Sequence, residues 1–333
     1  MPALQVRDLR PRPLGWHGGT RVHARRRARG AVRPAGRGRP AELPSEQAVK
    51  GMVRMCRWLA YSGTPVLLDT VLYRPEHSLI NQSLRSRMGV ESTNGDGFGL
   101  GWYSADGNGT PAVFRDIGPA WNNRNLQELA AHVRSPLFFA HVRASTGSAI
   151  QQTNCHPFRH GRWLWMHNGA IGDFNRLQRD LCMAVDPALF PCIEGSTDSE
   201  VMFYLAVTYG LDQDVPGAVA RMAGLVERLG KEHGVAEPLQ MTVAVSDGDR
   251  VWAFRYSSEG RSRSLYYSSR ADTVRHLYPE IDYLREVSDE TRIVVSEPLG
   301  DLPGVWNELP ESSYAVVPSG PDDVDYLPFI PEF

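Results

Sequence analysis

Four short stretches of this chain carry side chains suited to acyl chemistry on an amino-acid amide: Cys56, Arg143, Asn168-Gly169 and Asp198. A cysteine attacks as its thiolate, so it needs a base. If Cys56 heads the working chain, its own α-amine, with an ordinary pKa near 8, can take the thiol proton at neutral pH. An internal Cys56 has an amide nitrogen there instead, which is not basic. Arg143 follows His141-Val142 at the end of an expected strand, where a guanidinium fork can pair with a carboxylate. The Asn168 side-chain amide and the Gly169 N–H can point at one oxygen, which makes an oxyanion hole. Asp198, in Thr197-Asp198-Ser199-Glu200, can hold an ammonium group. One substrate fits all four: an α-carboxylate on Arg143, an α-ammonium on Asp198 and a γ-amide carbonyl facing Cys56. That describes glutamine or a γ-glutamyl compound.

Each stretch also has an ordinary structural use. A lone cysteine packs as a small hydrophobe, a lone arginine makes a salt bridge, Asn-Gly makes a turn, and Ser196 or Thr197 caps a helix. Their coincidence in one chain is what carries the chemical reading.

The elements that must position these residues follow from pattern. Arg57–Ser62 reads as a first strand, and residues 70–88 are in part helical. Asn94 to Tyr103 is a glycine-rich turn entering a strand, and Asp106-Gly107-Asn108-Gly109 turns it back into a strand over Ala112–Asp116. A helix is predicted over Asn123–Val133, a buried strand over Leu137–Arg143, and a short strand over Trp163–His167 with Asn168-Gly169 just after it. Helices follow over Asp173 to about Ala184, Thr197–Tyr209 and Pro216–Leu229. Asp198 and Glu200 stand in the first turn of the second, where negative charge suits the helix dipole. Strands are predicted over Met241–Ser246, Arg250–Arg255, Leu265–Ser268, Arg292–Ser296 and Tyr314–Val317. Strands at both ends with helices between predict layered sheets covered by helices.

Composition narrows the class. The 333 residues are 42% hydrophobic, enough for one large domain or two small ones. No apolar run reaches the roughly 18 residues of a membrane helix. Four cysteines (Cys56, Cys155, Cys182, Cys192) form no CxxC pair, so neither a zinc ribbon nor a disulfide framework is expected, and a cytoplasmic location fits. Residues 1–54 hold 12 Arg and 1 Lys against 1 Asp and 2 Glu, a net of +10; the whole chain is −2, which leaves −12 for the remainder. An acidic body argues against nucleic acid as a partner. The Arg/Pro/Gly-rich head is expected to be a disordered extension over 1–55, from a mis-called start codon or a removed segment, ahead of a domain over 56–333.

These motifs resemble the class II glutamine amidotransferases, a family of N-terminal-nucleophile hydrolases. The family's mature chain begins with cysteine after an excised methionine, as Met55-Cys56-Arg57-Trp58 would. Its strand-loop arginine and nearby threonine match Arg143 and Thr146, its oxyanion pair matches Asn168 and Gly169, and its Thr-Asp-Ser-Glu segment matches Thr197-Asp198-Ser199-Glu200. A glycine-rich loop bordering the pocket resembles Asp96-Gly97-Phe98-Gly99, and a His-Pro pair resembles His156-Pro157. All stand in family order across residues 56 to about 330. The one departure is that the cysteine stands at position 56; some relatives carry a short removable propeptide.

The resemblance implies a glutamine-amidotransferase-like domain over 56–333 with an α+β fold, a four-layer αββα sandwich of two antiparallel sheets. It implies Cys56, Asn168 and Gly169 as catalytic, Arg143, Thr146 and Asp198 as substrate-binding, and Asp96, Gly97, His156 and His167 as support behind them, with no metal and no cofactor. It implies a small-molecule substrate and no membrane. No ATP-binding or sugar-phosphate acceptor motif accompanies the domain. The chain is therefore expected to hydrolyse γ-glutamyl amides by itself, like the short relatives of ergothioneine biosynthesis and glutathione breakdown, or to feed ammonia to a partner synthase or act beside a partner hydrolase subunit. A binding module that keeps the pocket but lacks the free amine is the alternative from another class.

Overall fold

The computed structural model describes residues 56–88, 93–107, 109–145, 147–318 and 323–332. The expectations for 1–55, including Met55 and the extension, and for Thr146 lie outside the described residues.

Two antiparallel sheets form the centre. The first has seven strands: β1 (Arg57–Leu67), β2 (Phe98–Tyr103), β3 (Ala112–Asp116), β4 (Arg134–Val142), β9 (Tyr266–Ser268), β10 (Arg292–Val295) and β11 (Trp306–Glu308). Their order across the sheet is β11-β9-β10-β1-β4-β2-β3. The second has six: β5 (Phe158–His160), β6 (Trp163–Ile171), β7 (Leu239–Ser246), β8 (Val251–Ser257), β12 (Ser313–Val317) and β13 (Asp325–Pro328), in the order β13-β12-β8-β7-β6-β5.

Side-chain alternation explains the layering. In β1, Trp58 and Ala60 face the second sheet, where they pack with Phe139, Leu164, Met166 and Ala244. Leu59 and Tyr61 face the other way, onto the helices α1 (Leu68–Leu72), α2 (Leu79–Leu84) and α3 (Arg124–His132) and onto Ala271 at the start of α7 (Ala271–Leu277). The second sheet does the same: Trp165, Met241, Val243 and Phe254 pack under α4 (Phe174–Met183), α5 (Asp198–Thr208) and α6 (Val215–Glu232). The result is the expected αββα sandwich. Every core residue among those described lies within 58–329, so a chain begun at Cys56 keeps all of this core. Among the described residues no helix is long and apolar enough to cross a membrane.

One difference bears on chemistry. The strand expected over Trp163–His167 runs on to Ile171, so Asn168 and Gly169 lie within β6 rather than in a turn after it. Asn168 is paired with Thr242, and Gly169 with Met241. Gly169 holds φ at +150°, and a Cβ there would come within 1.9 Å of the Gln240 carbonyl oxygen and 2.7 Å of His167 Nε2. The backbone approach that keeps this strand paired therefore requires glycine. Residues 70–88 contain only the two short helices α1 and α2, and the short elements β5, β11, β13 and α7 have no counterpart in the predicted pattern. These four pieces run for only three to seven residues.

Candidate active site

The site lies at one end of the sandwich, between the sheets. Cys56 immediately precedes β1, and its parity with Trp58 and Ala60 places it on the inter-sheet side. Its Sγ lies 3.4 Å from the Ala144 N–H, which donates to it, and 3.6 Å from the Ala144 carbonyl. Burial pushes the thiol pKa up; the Ala144 backbone bond and the Arg263, Arg143 and Arg57 guanidiniums act the other way without overcoming it. The thiol is thus protonated at neutral pH and must be given a base.

The Cys56 carbonyl is held from both sides. Asn168 Nδ2 donates to it at 2.7 Å from the second sheet, and Arg57 Nη1 at 2.9 Å. Arg57 is itself anchored: its Nε donates to Glu297 Oε2 at 2.6 Å, and its Nη2 reaches the Ser86 hydroxyl. Glu297 also takes His77 Nε2 at 2.5 Å and the backbone N–H groups of Arg87 and Met88. Burial raises the Glu297 carboxyl pKa, but the His77 bond, the Arg57 charge and the Arg87 N–H more than offset this and bring it to about 2. This buried cluster fixes the first residues of β1 and was not legible in the sequence, because Glu297 lies more than 200 residues from every other member.

Arg143 follows β4, one neighbour away from β1. It is 3% exposed. Its guanidinium donates to the Ser148 hydroxyl at 2.6 Å, the Ala149 carbonyl at 3.2 Å, the Ser145 hydroxyl and the Asp96 carbonyl. All of these acceptors are neutral, and among the described residues no carboxylate pairs with it. A buried cation with only neutral partners favours an anionic ligand. Asp96 supports the same loop through the Ser145 N–H at 2.8 Å, and the Gly97 carbonyl accepts from Arg143 N. Gly97 holds φ at +117°, with Cys155 Sγ and the Asp116 carbonyl where a Cβ would stand.

Asp198 is the first residue of α5, with Thr197 as N-cap bonded to the Glu200 N–H. The helix-cap use expected for this segment is therefore present. The Asp198 carboxylate accepts from Ile171 N and Ser199 N, each at 2.8 Å. It also lines a cavity of about 460 Å³ together with Ser148, Ala149, Ala170 and Arg176. Neither the Cys56 thiol nor the Arg143 guanidinium is part of the cavity wall. Ser148 and Ala149 both line the cavity and bond Arg143, so their loop borders both. Asn154, absent from the predicted site, ties that loop to α5: its Nδ2 donates to the Ala149 carbonyl, and its Oδ1 accepts from Ser196 N.

The histidines do not reach the thiol through any hydrogen bond. His167 Nδ1 is 2.8 Å from the Ser199 hydroxyl, and its Nε2 faces the Gln240 carbonyl at 3.4 Å. Burial lowers its pKa, with Asp198 acting in the opposite direction. His156 Nδ1 meets His141 Nε2 at 3.1 Å. Burial holds His141 down at about 3 and His156 well below the usual imidazole range, so both are neutral at physiological pH. The Arg263 guanidinium also acts on the Cys56 thiol. Its loop, Arg261-Ser262-Arg263-Ser264, reads as a solvated connection, and no sequence signal separates it from one.

A buried thiol at the head of a central strand in an αββα sandwich is the arrangement of the N-terminal-nucleophile hydrolases. Residues 73–321 match the family of class-II glutamine amidotransferases, and the chain belongs to that family. It is similar to the probable glutamine amidotransferase DUG3 of Saccharomyces cerevisiae, 35% identical over 291 residues that span 79% of this chain and 82% of the yeast protein. It is similar to the γ-glutamyl-hercynylcysteine sulfoxide hydrolase of Mycolicibacterium smegmatis, 26% identical over 263 residues, 77% of this chain and 93% of that one. A solved class-II glutamine aminotransferase domain protein from Silicibacter pomeroyi is 33% identical, with a TM-score of 0.63 over 84% of this chain and all of its own. The glutamine phosphoribosylpyrophosphate amidotransferase of Bacillus subtilis, at 14% identity and a TM-score of 0.54, shares the fold; the match covers 82% of this chain and 49% of that one.

Proposed function

We propose that this chain hydrolyses γ-glutamyl amides through a thioester on Cys56, in a form whose first residue is Cys56. The observation that carries the reading is the double hold on that residue: its thiol against the Ala144 N–H and its carbonyl on Asn168 and Arg57. In the reaction, the α-amine of Cys56 takes the thiol proton and the thiolate attacks the γ-carbonyl. Asn168, whose amide has a second hydrogen, and the Gly169 N–H stabilise the oxyanion. The amine leaves with a proton, and water then cleaves the thioester to give glutamate and regenerate the thiol. Arg143 binds the glutamyl α-carboxylate, and Asp198 the α-ammonium. The activity named for the mycobacterial relative, a γ-glutamyl hydrolase, supports hydrolysis over ammonia transfer. All four cysteines are free, which suits a reducing cytoplasm.

The test has two parts. The N-terminal mass of the protein made from its native gene should begin at Cys56; an uncleaved chain from Met1 would leave only a binding module. Protein begun at Cys56 should then release glutamate from γ-glutamyl amides and, when quenched during turnover, carry a glutamyl adduct on Cys56. Turnover with no adduct on that residue would exclude it as the nucleophile.

A further inference from the structure

The strand order sets the site's two flanks apart. Arg143 follows β4 on one side of β1, and Asp198 lies against the end of β6 on the same side. The loop that joins β8 to β9 crosses the other flank, next to β7 and β10. Arg263 stands in that loop. Its Nε donates to the Gln240 side-chain oxygen at 3.0 Å, and Gln240 is paired in register with Ala170, two residues beyond Asn168. Ser264 next to it bonds the Ser296 carbonyl, and Leu265 packs with Trp58 in the inter-sheet core, which fixes the loop beside the start of β1.

The guanidinium is incompletely satisfied. Nη1 is buried without a hydrogen-bond partner, and among the described residues no carboxylate pairs with Arg263. An arginine has five donors in a rigid fork, and leaving one buried and unmatched is costly unless a ligand completes it. Its charge is felt at the reacting centre: it acts on the Cys56 thiol ahead of Arg143 and Arg57, and it also acts on His167.

A γ-glutamyl substrate has two ends on either side of the scissile carbonyl. In the reading above, which this step rests on, the glutamyl end occupies the Arg143–Asp198 flank, so the leaving amine extends toward the opposite flank. We propose that Arg263 is a specificity-determining residue that pairs with an acidic group carried by the leaving amine. The preferred substrate class is then a γ-glutamyl amino acid or peptide, with a carboxylate on the departing portion, in preference to glutamine, whose leaving group is uncharged ammonia. Gln240 is the positioning residue that orients the fork through Nε.

The experiment compares γ-glutamylglycine with γ-glutamylglycinamide, which differ in that one charge, on protein begun at Cys56. The wild type should favour the carboxylate in kcat/KM by roughly 10- to 100-fold, the worth of a charge-assisted pair. Arg263→Gln should bring that ratio close to one, and Arg263→Lys should keep part of it. A ratio unchanged in Arg263→Gln, or an equal loss on both substrates, overturns the assignment; the latter would put Arg263 on the thiol instead. If Arg263→Gln does not fold, the wild-type ratio and the Lys variant decide: no preference in the wild type overturns it. A wild type that cleaves both substrates equally leaves the hydrolase reading standing and removes Arg263 alone. A wild type that cleaves neither, nor glutamine, removes both.

Discussion

The Asn168 side chain, from the second sheet, donates to the carbonyl oxygen of Cys56, at the head of the first, over 2.7 Å. This bond joins the sheets at the residue proposed as the nucleophile. In the proposed reaction one amide then serves two tasks: one hydrogen holds the Cys56 backbone, and the other is free to meet an oxyanion. Asn168→Ala should therefore lower kcat by about 10²–10³ and cost about 1 kcal/mol of stability from the lost backbone bond. Steady-state kinetics and urea unfolding on the same preparation check both; a change confined to KM would argue against the oxyanion role.

Cys56→Ala and Cys56→Ser should abolish or nearly abolish γ-glutamyl hydrolysis while the fold persists. Leaving a residue in front of Cys56 should have the same effect, since it replaces the amine by a non-basic amide. Full activity in a chain extended beyond Cys56 would show that another group serves as the base.

Activity should rise with pH through roughly 7.7–8.0, the ordinary range of an α-amine. The sign follows from the groups involved: the buried thiol, raised by its burial, stays protonated, and only an unprotonated amine can accept its proton. His141 and His156 stay neutral throughout and should add no inflection between pH 5 and 8. An inflection near 6.5 that vanished on substituting His156 would contradict this.

Arg143→Ala should raise KM by roughly 10- to 100-fold, because the substrate carboxylate loses its charge-assisted partner. The loop over residues 145–149 should loosen as well, since Ser145, Ser148 and Ala149 all accept from this guanidinium. Hydrogen exchange reads the loop, and initial rates read KM; an unchanged KM takes Arg143 out of the substrate site.

Glu297→Gln should destabilise the protein by about 3–5 kcal/mol, as expected when a buried ion pair loses one partner. The wild-type carboxyl has its pKa lowered to about 2 in the folded state, so its contribution is present above the unfolded value of 4.5 and is lost as pH falls toward 2. That part of the acid sensitivity should disappear in the variant. Equal pH slopes in the two proteins between 4.5 and 2 would show that Glu297 does not carry it.

Local pattern was enough for the long elements. The helix expected over Pro216–Leu229 lies inside α6, and the strand expected over Ala112–Asp116 has the observed limits, because apolar periodicity over many residues and a turn beside a short strand are local signals. Asn168-Gly169 defeated the same reasoning. The dipeptide favours a turn, but the ladder to β7 and the close Gln240 carbonyl hold it extended. The candidate site was legible where a residue type suggests a role, as with those proposed for Cys56, Arg143 and Asp198. The Glu297 cluster and Arg263 were not, because nothing in their neighbouring residues distinguishes them from surface charges.

By itself, then, the sequence determined the inventory: a cysteine able to head a domain, an arginine after a strand, an Asn-Gly pair, a Thr-Asp-Ser-Glu helix start, and enough alternation to require two covered sheets. Those properties depend on residue type and on neighbours within a few positions. Only the tertiary structure decided which charges act on the Cys56 thiol. Strand order put Arg143 and Arg263 on opposite flanks of Cys56, and burial held the thiol protonated, left His141 and His156 neutral and set the Glu297 carboxylate against Arg57. Electrostatics in a low-dielectric site depends on distance and desolvation, and both arise when segments far apart in the chain are brought together.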